Sequence, residues 1–254
     1  MPDKNLIKGR EIVRTWKNDS VGFVELHRPD KANAYNHELL SELESSFRKM
    51  EDDKEICTIV ITGAGKRCFC AGADLNEMKA KRFADALNLQ SAKVFSFIAS
   101  FSKVTIAAIN GAAVAGGLEL CLSCDFRICV ENAKFSFPET KIGLIPAAGG
   151  TQRLPQIVGL AKAKELILGG CVWDANNALN SGLVNAVVPN SELLIRAQAW
   201  GKKIGNRDQL ALRLAKQAID QKTSYASISF YEEIAEALLY NLKFNKAETI
   251  EDDK

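Results

Sequence analysis

Between Val104 and Val130 the chain reads VTIAAINGAAVAGGLELCLSCDFRICV, with only Glu119, Asp125 and Arg127 charged. Such a run is buried in a folded chain, yet Gly111, Gly116 and Gly117 cut it, so no single long helix fits it. It reads as a buried strand (VTIAAIN), a break at Gly111, a turn at AGG, a short helix (LELCLSCD) and a second strand (DFRICV). Strands apolar on both faces belong to sheets covered on both sides. The stretch therefore calls for a layered α/β core and places one carboxylate, Glu119, inside it.

The flanking sequence agrees. EIVRTWK and VGFVELH read as a strand pair turned by NDS, CTIVITG as a short buried strand ended by Gly63, KFSF and GLVNAVV as further short strands. NHELLSELESSFRKMEDD carries Leu39, Leu40, Leu43, Phe47 and Met50 at amphipathic-helix spacing, and RFADALNLQSAKVFSFIASF reads as another helix. The segment from Gly63 to Asp74 reads as a glycine-containing loop. The last third is helical: SELLIRAQAWGKKIG, QLALRLAKQAIDQ and SFYEEIAEALLYNLKF. The expected organisation is an α/β core over residues 1–190 and a C-terminal helical region over 191–254.

The 254 residues, 47% hydrophobic and 25% charged with a formal net charge of +2, disfavour a dedicated nucleic-acid or membrane surface. The polar N-terminus lacks a signal region and no stretch reads as a membrane span, so a cytoplasmic location is expected. The seven cysteines read as reduced thiols, with Cys121, Cys124, Cys68 and Cys70 as small buried hydrophobes in a helix and a loop rather than a metal site. His27 and His37 are the only histidines, which excludes zinc sites built on several of them.

Three turns hold the candidate chemistry. In GAGKRCFCAGADLNEM, Asp74 reads as a helix cap or first-turn acid, and the N–H of Ala73 is free to meet an oxygen; a plain cap is the alternative. In the opening stretch the N–H of Gly116 lies at a helix start, its missing side chain leaves room for a ligand, and Gly117 reads as a close-packing residue. Together Ala73 and Gly116 make an oxyanion hole if the fold joins them. Glu119 sits on the first turn of that helix; its alternative reading is a buried carboxylate paired with Arg127 or Lys134. In KFSFPETKIGLIPAAGGTQRLP, Glu139 follows Pro138 among Phe135, Phe137, Ile142 and Leu144, surroundings that favour a protonated carboxyl. PAAGGTQR, a glycine-rich turn into a helix, is of a kind that faces a phosphate, but it reads rather as a packing element or as part of an acyl pocket. Two acids of this kind are able to hold a water between them as base and acid.

HRPDKANAYN, FCAGADLNEM, AAINGAAVAGGLELCLSCDFRI and FSFPETKIGLIPAAGGTQRLP resemble, in order and spacing, the enoyl-CoA hydratase/isomerase (crotonase) family, from about Val21 to Pro189. The resemblance is closest to bacterial enoyl-CoA hydratases. It implies a crotonase-like fold of repeated β-β-α units with C-terminal helices that mediate trimerisation, and trimers or hexamers as the assembly. It also implies catalytic Glu119 and Glu139, an oxyanion hole at Ala73 and Gly116, and coenzyme A contacts at Lys31, Ala32, Ala71, Gly72, Asp74 and Leu75. Coenzyme A is then part of an acyl-CoA substrate, and no cofactor or metal is needed. Both glutamates are present, which favours hydration over double-bond isomerisation; a branched or cyclic enoyl-CoA as substrate stays open, since the acyl pocket decides it. Acyl-CoA binding without turnover would leave two desolvated glutamates with nothing to offset their cost. Two departures stand out. Tyr35 replaces the common Leu or Met, altering packing behind the coenzyme A site. Members also usually continue past AETIEDDK with basic and aromatic residues that touch coenzyme A.

Overall fold

The first strand pair is an antiparallel hairpin, β1 (Val13–Asn18) against β2 (Val21–Leu26), turned through Asp19 at φ 52°. The computed structural model describes residues 12–80, 89–220 and 231–239. Helix α1 (His37–Asp52) follows, capped by Asn36, whose side chain accepts from the N–H of Leu39 at 2.9 Å. Its buried residues are the stripe seen in the sequence: Leu39, Leu40, Leu43, Phe47 and Met50. Burying a side chain such as Phe47 stabilises the fold by about 1.5–3 kcal/mol.

A long strand, a short strand and a helix then recur. They are β3 (Thr58–Gly63), β4 (Cys68–Cys70) and α2 (Leu75–Ala80), and, after α3 (Gln90–Ala99), β5 (Val104–Ile109), β6 (Ala112–Val114) and α4 (Gly116–Leu122). Next come β7 (Phe126–Val130), β8 (Lys134–Ser136), α5 (Gly150–Val158) and α6 (Leu160–Ile167), then β9 (Val172–Asp174), α7 (Ala175–Asn180), β10 (Ala186–Val188), α8 (Leu193–Gly205) and α9 (Gln209–Asp220). A further helix covers 231–239.

The strands form two sheets. One runs β1-β2-β3-β5-β7-β10 and is parallel beyond the hairpin; every residue of β3 and β5 in it is buried. The other runs β4-β6-β8-β9, parallel except for its last pair. Two buried asparagines tie the sheets' connecting loops. Asn110 accepts from the N–H of Gly63 and donates to the carbonyl of Gly65, while Asn33 donates to the carbonyls of Ala64 and Cys68. The turn at Gly111 crosses the Arg67 backbone so closely that a β-carbon would stand 2.7 Å from the Cys68 nitrogen.

Two differences from the sequence reading follow from composition and packing. The expected loop at Cys68 and Cys70 is strand β4, and β6 and β9 are also strands, each hidden in a glycine-flanked stretch that reads as a turn. The chain divides at Gly205 rather than at 190, into Met1–Gly205 and Asn206–Lys254, because α8 lies on the large sheet. There Gly201 approaches β3 so closely that a β-carbon would meet Thr58 Oγ1 at 2.8 Å. Within the second unit, the Tyr231 hydroxyl donates to Gln217 Oε1 at 2.9 Å. The early part of the helix expected from Arg82 and the ends of the last one lie outside the described residues.

Candidate active site

Strand β6 hands over to α4 through Ala115, which adopts φ 52° and ψ −129°, a conformation that strains any residue with a β-carbon. Its N–H is held by the Ser136 carbonyl at 3.0 Å, extending the β6–β8 ladder to the helix start. That start is pressed into place. A β-carbon on Gly117 would meet the Cys70 carbonyl carbon at 2.6 Å, which is the close packing expected for it. A β-carbon on Gly116 would fall on the hydroxyl of Tyr35, with the ring's Cζ at 2.7 Å. The space at Gly116 thus belongs to Tyr35, not to open room for a ligand on that side.

The segment around Ala73 arrives alongside. Tyr35 forms an isolated parallel bridge with Ala73: its N–H donates to the Gly72 carbonyl, and its carbonyl accepts from the N–H of Asp74, both at 2.8 Å. Gly72, at φ 94°, sits so near α4 that its β-carbon position is 3.3 Å from the Gly116 nitrogen. Ala73 and Gly116 are therefore neighbours, and neither N–H has a hydrogen-bond acceptor among the described residues.

Glu119 is 3% exposed. Its Oε1 accepts from the N–H of Ala148 at 2.7 Å and of Gly150 at 2.8 Å, both at the N-terminus of α5. Gly149 between them takes φ 110°, and a β-carbon there would run into the Arg153 guanidinium, whose Nη1 donates to the Ala148 carbonyl at 3.0 Å. Burial raises the Glu119 pKa, opposed by the two amides and by the positive charge of Arg153. Neither partner expected under the alternative reading is used. Arg127 donates to the carbonyls of Leu183, Cys121 and Cys124, and Lys134 is exposed. The glycine-rich PAAGGTQR turn, expected to pack or to shape a pocket, instead offers its amides to Glu119.

Glu139 opens a 3-10 turn, Glu139–Ile142, and is half-buried. Its Oε2 is enclosed without a hydrogen-bond partner among the described residues. Such an oxygen needs an occupant or an explanation. Burial pushes its pKa up to about 7, and the negative charge of Glu119 adds to the rise. The fold therefore sets two carboxyls within electrostatic reach of each other, with the unpaired amides of Ala73 and Gly116 at the start of the helix that carries one of them.

A model of the family described as enoyl-CoA hydratase/isomerase matches residues 16–250. The chain belongs to this family. It is 39% identical to a probable enoyl-CoA hydratase of Mycobacterium bovis over 243 residues, covering 95% of this chain and 91% of that one. It is 40% identical to a short-chain-enoyl-CoA hydratase of Clostridium acetobutylicum over 207 residues, covering 81% and 79%. The crystal structure of an enoyl-CoA hydratase from Bacillus anthracis superposes with a TM-score of 0.88 at 34% identity, covering 91% of this chain and 92% of that one. The two-sheet architecture is the crotonase-type fold expected from the sequence.

Of the remaining family positions, Lys31 and Ala32 lie exposed at a 3-10 turn (Pro29–Lys31), and the Ala32 carbonyl accepts from the N–H of Ala71 at 3.1 Å. This joins Lys31 and Ala32 to the Ala71–Leu75 segment. Leu75 is 63% exposed. Asp74 has structural work: its carboxylate caps α2 at the N–H of Asn76 and pairs with Arg28 at 3.0 Å. No group of three or more His, Cys, Asp or Glu able to hold a metal occurs among the described residues, and no described helix is long and apolar enough to cross a membrane. The sequence reading missed Arg153, Ala148 and Gly150 as partners of Glu119, and took Tyr35 for a packing residue behind coenzyme A. The signal for the former was the anion-binding tendency of a glycine turn into a helix.

Proposed function

We propose that the protein is an enoyl-CoA hydratase that adds water reversibly across the double bond of a 2-enoyl-CoA thioester. The observation that carries this reading is the coupled pair Glu119 and Glu139 beside the unpaired amides of Ala73 and Gly116. Those two amides receive the thioester carbonyl and stabilise the enolate oxygen as charge builds on it; losing one such donor costs about 3 kcal/mol in the barrier. Glu119, ionised, takes a proton from the attacking water as it bonds to C3. Glu139, protonated, delivers a proton to C2, and the roles reverse for dehydration. A Glu139 pKa near 7 keeps a substantial protonated fraction at neutral pH, as an acid in this role requires. Its partnerless Oε2 is a fitting contact for the water or for C2.

Hydration moves only the elements of water, so the reading needs no cofactor or metal; coenzyme A is part of the substrate, held along Lys31, Ala32 and the Ala71–Leu75 segment. The Clostridium acetobutylicum relative supports a short acyl chain. Trimers or hexamers are part of the same reading and rest on the family. The test is to convert Glu119 and Glu139 separately to Gln and follow loss of the conjugated-enoyl absorbance of crotonyl-CoA. Both variants lose at least about a hundredfold in kcat; near-normal turnover in either removes that residue from the mechanism.

A further inference from the structure

Tyr35 touches both halves of the amide pair. Its backbone hydrogen bonds, to the Gly72 carbonyl and from the Asp74 N–H, straddle Ala73 and leave Ala73's own N–H turned to the other side. Its phenol oxygen rests against Gly116, where a β-carbon would otherwise be, with Cζ and Cε1 at 2.7 and 2.8 Å from that point. We propose that Tyr35 is a positioning residue that fixes the spacing between the amides of Ala73 and Gly116, holding one through its backbone and the other through its phenol. The inference deepens the hydratase reading and rests on it.

The strut is rigid at both ends. Tyr35 is 7% exposed, and its ring stands edge-on to the fully buried Phe95 of α3, with centroids 5.6 Å apart and planes at 89°. On the opposite side, the β-carbon position of Gly72 meets Ala115 Cβ at 3.0 Å, so the two segments are already in contact there. Shortening Tyr35 removes a side chain that joins them, and Ala115, already strained at φ 52°, is free to relax. Burial raises the phenol's pKa, and the negative charges of Glu119 and Glu139 act in the same direction, so Tyr35 stays neutral. Its effect passes through geometry, and small misplacement at a reacting centre costs rate steeply.

The experiment compares wild type, Tyr35→Phe and Tyr35→Leu in the full-length protein. It reads kcat and KM on crotonyl-CoA, melting temperature, and the infrared carbonyl stretch of bound butyryl-CoA carrying carbon-13 at the carbonyl. This saturated thioester does not react, and its stretch falls in frequency as the two amides polarise it. The wild type lowers the stretch relative to free butyryl-CoA. Tyr35→Leu loses about tenfold or more in kcat, changes KM by less than about threefold, and returns the stretch part-way toward the free value; Tyr35→Phe lies between. Wild-type kcat and a fully lowered stretch in a folded Tyr35→Phe and Tyr35→Leu overturn the inference. A change confined to KM does so too, since it makes Tyr35 a pocket wall. If Tyr35→Leu does not fold, the folded Tyr35→Phe decides by the same two readouts. Wild-type protein that neither hydrates crotonyl-CoA nor lowers the stretch removes the hydratase reading itself and the inference with it.

Discussion

The phenol oxygen of Tyr35 occupies the place of a β-carbon at Gly116. Residue 116 is glycine because a residue far away in sequence has taken its side-chain volume. Gly116→Ala therefore displaces either the ring or the helix start, and turnover falls by about a hundredfold. Adding Tyr35→Leu relieves the collision. The double variant is expected to be less impaired than the product of the two single effects, with a coupling of about 1 kcal/mol or more in a double-mutant cycle of kcat/KM. Strict additivity would show that the two side chains do not compete for that volume.

Glu139 links activity and stability to pH. Its folded pKa of about 7 lies above the ordinary carboxyl value of 4.5, so between these values the native state binds more protons than the unfolded state. The protonated carboxyl's contribution is complete below 4.5 and is lost as pH rises to about 7. Glu139→Gln should remove that loss, making the protein roughly 1–3 kcal/mol less sensitive to a change from pH 5 to pH 8. Urea unfolding at the two pH values measures it. In the wild type, hydration kcat/KM is expected to decline above about pH 7 as the acid ionises.

Arg153 supports Glu119 in two ways, by its charge and by holding the Ala148 carbonyl while the Ala148 N–H binds the carboxylate. Arg153→Gln withdraws a charge that lowers the Glu119 pKa, so that pKa rises and the acid limb of the kcat/KM profile moves to higher pH. Arg153→Lys keeps the charge but loses the planar fork that also reaches Ser96 Oγ at 3.3 Å. It is expected to lower kcat while leaving the acid limb nearly in place. A loss of melting temperature with no movement of either parameter would make Arg153 purely structural.

Asn33 is fully buried in a left-handed conformation at φ 55° and joins Arg28 N, Ala64 O and Cys68 O through one side-chain amide. Asn33→Ala strands Arg28 N and Ala64 O, while Cys68 O keeps the Asn110 amide. Stability is expected to fall by about 2–4 kcal/mol, read by chemical denaturation.

Long periodic segments were legible in the sequence. The five buried residues of α1 are the five its spacing predicts, and the apolar strands β3 and β5 lie at the centre of the large sheet. Strands β4, β6 and β9 were not: each lies in a glycine-flanked stretch (GAGKRCFCAG, NGAAVAGG, GGCVWD) whose composition reads as loop or turn. Glu119 and Glu139 stood out as acids in apolar surroundings, and the structure brings them within electrostatic reach. The partner of Glu119 was hidden. A glycine turn at a helix start attracts anions, but sequence does not say that the anion is the protein's own carboxylate. Tyr35 was visible as a departure while its target was not, since Gly116 carries no side chain to announce a contact.

The two amides that grip Oε1 of Glu119 make the carboxylate asymmetric. One oxygen is committed to the scaffold, and Oε2 alone is left to meet anything else. In the hydration proposed above, Glu119 would then serve as a single-atom base with one direction of approach, its orientation set by the α5 turn rather than by carboxylate rotation.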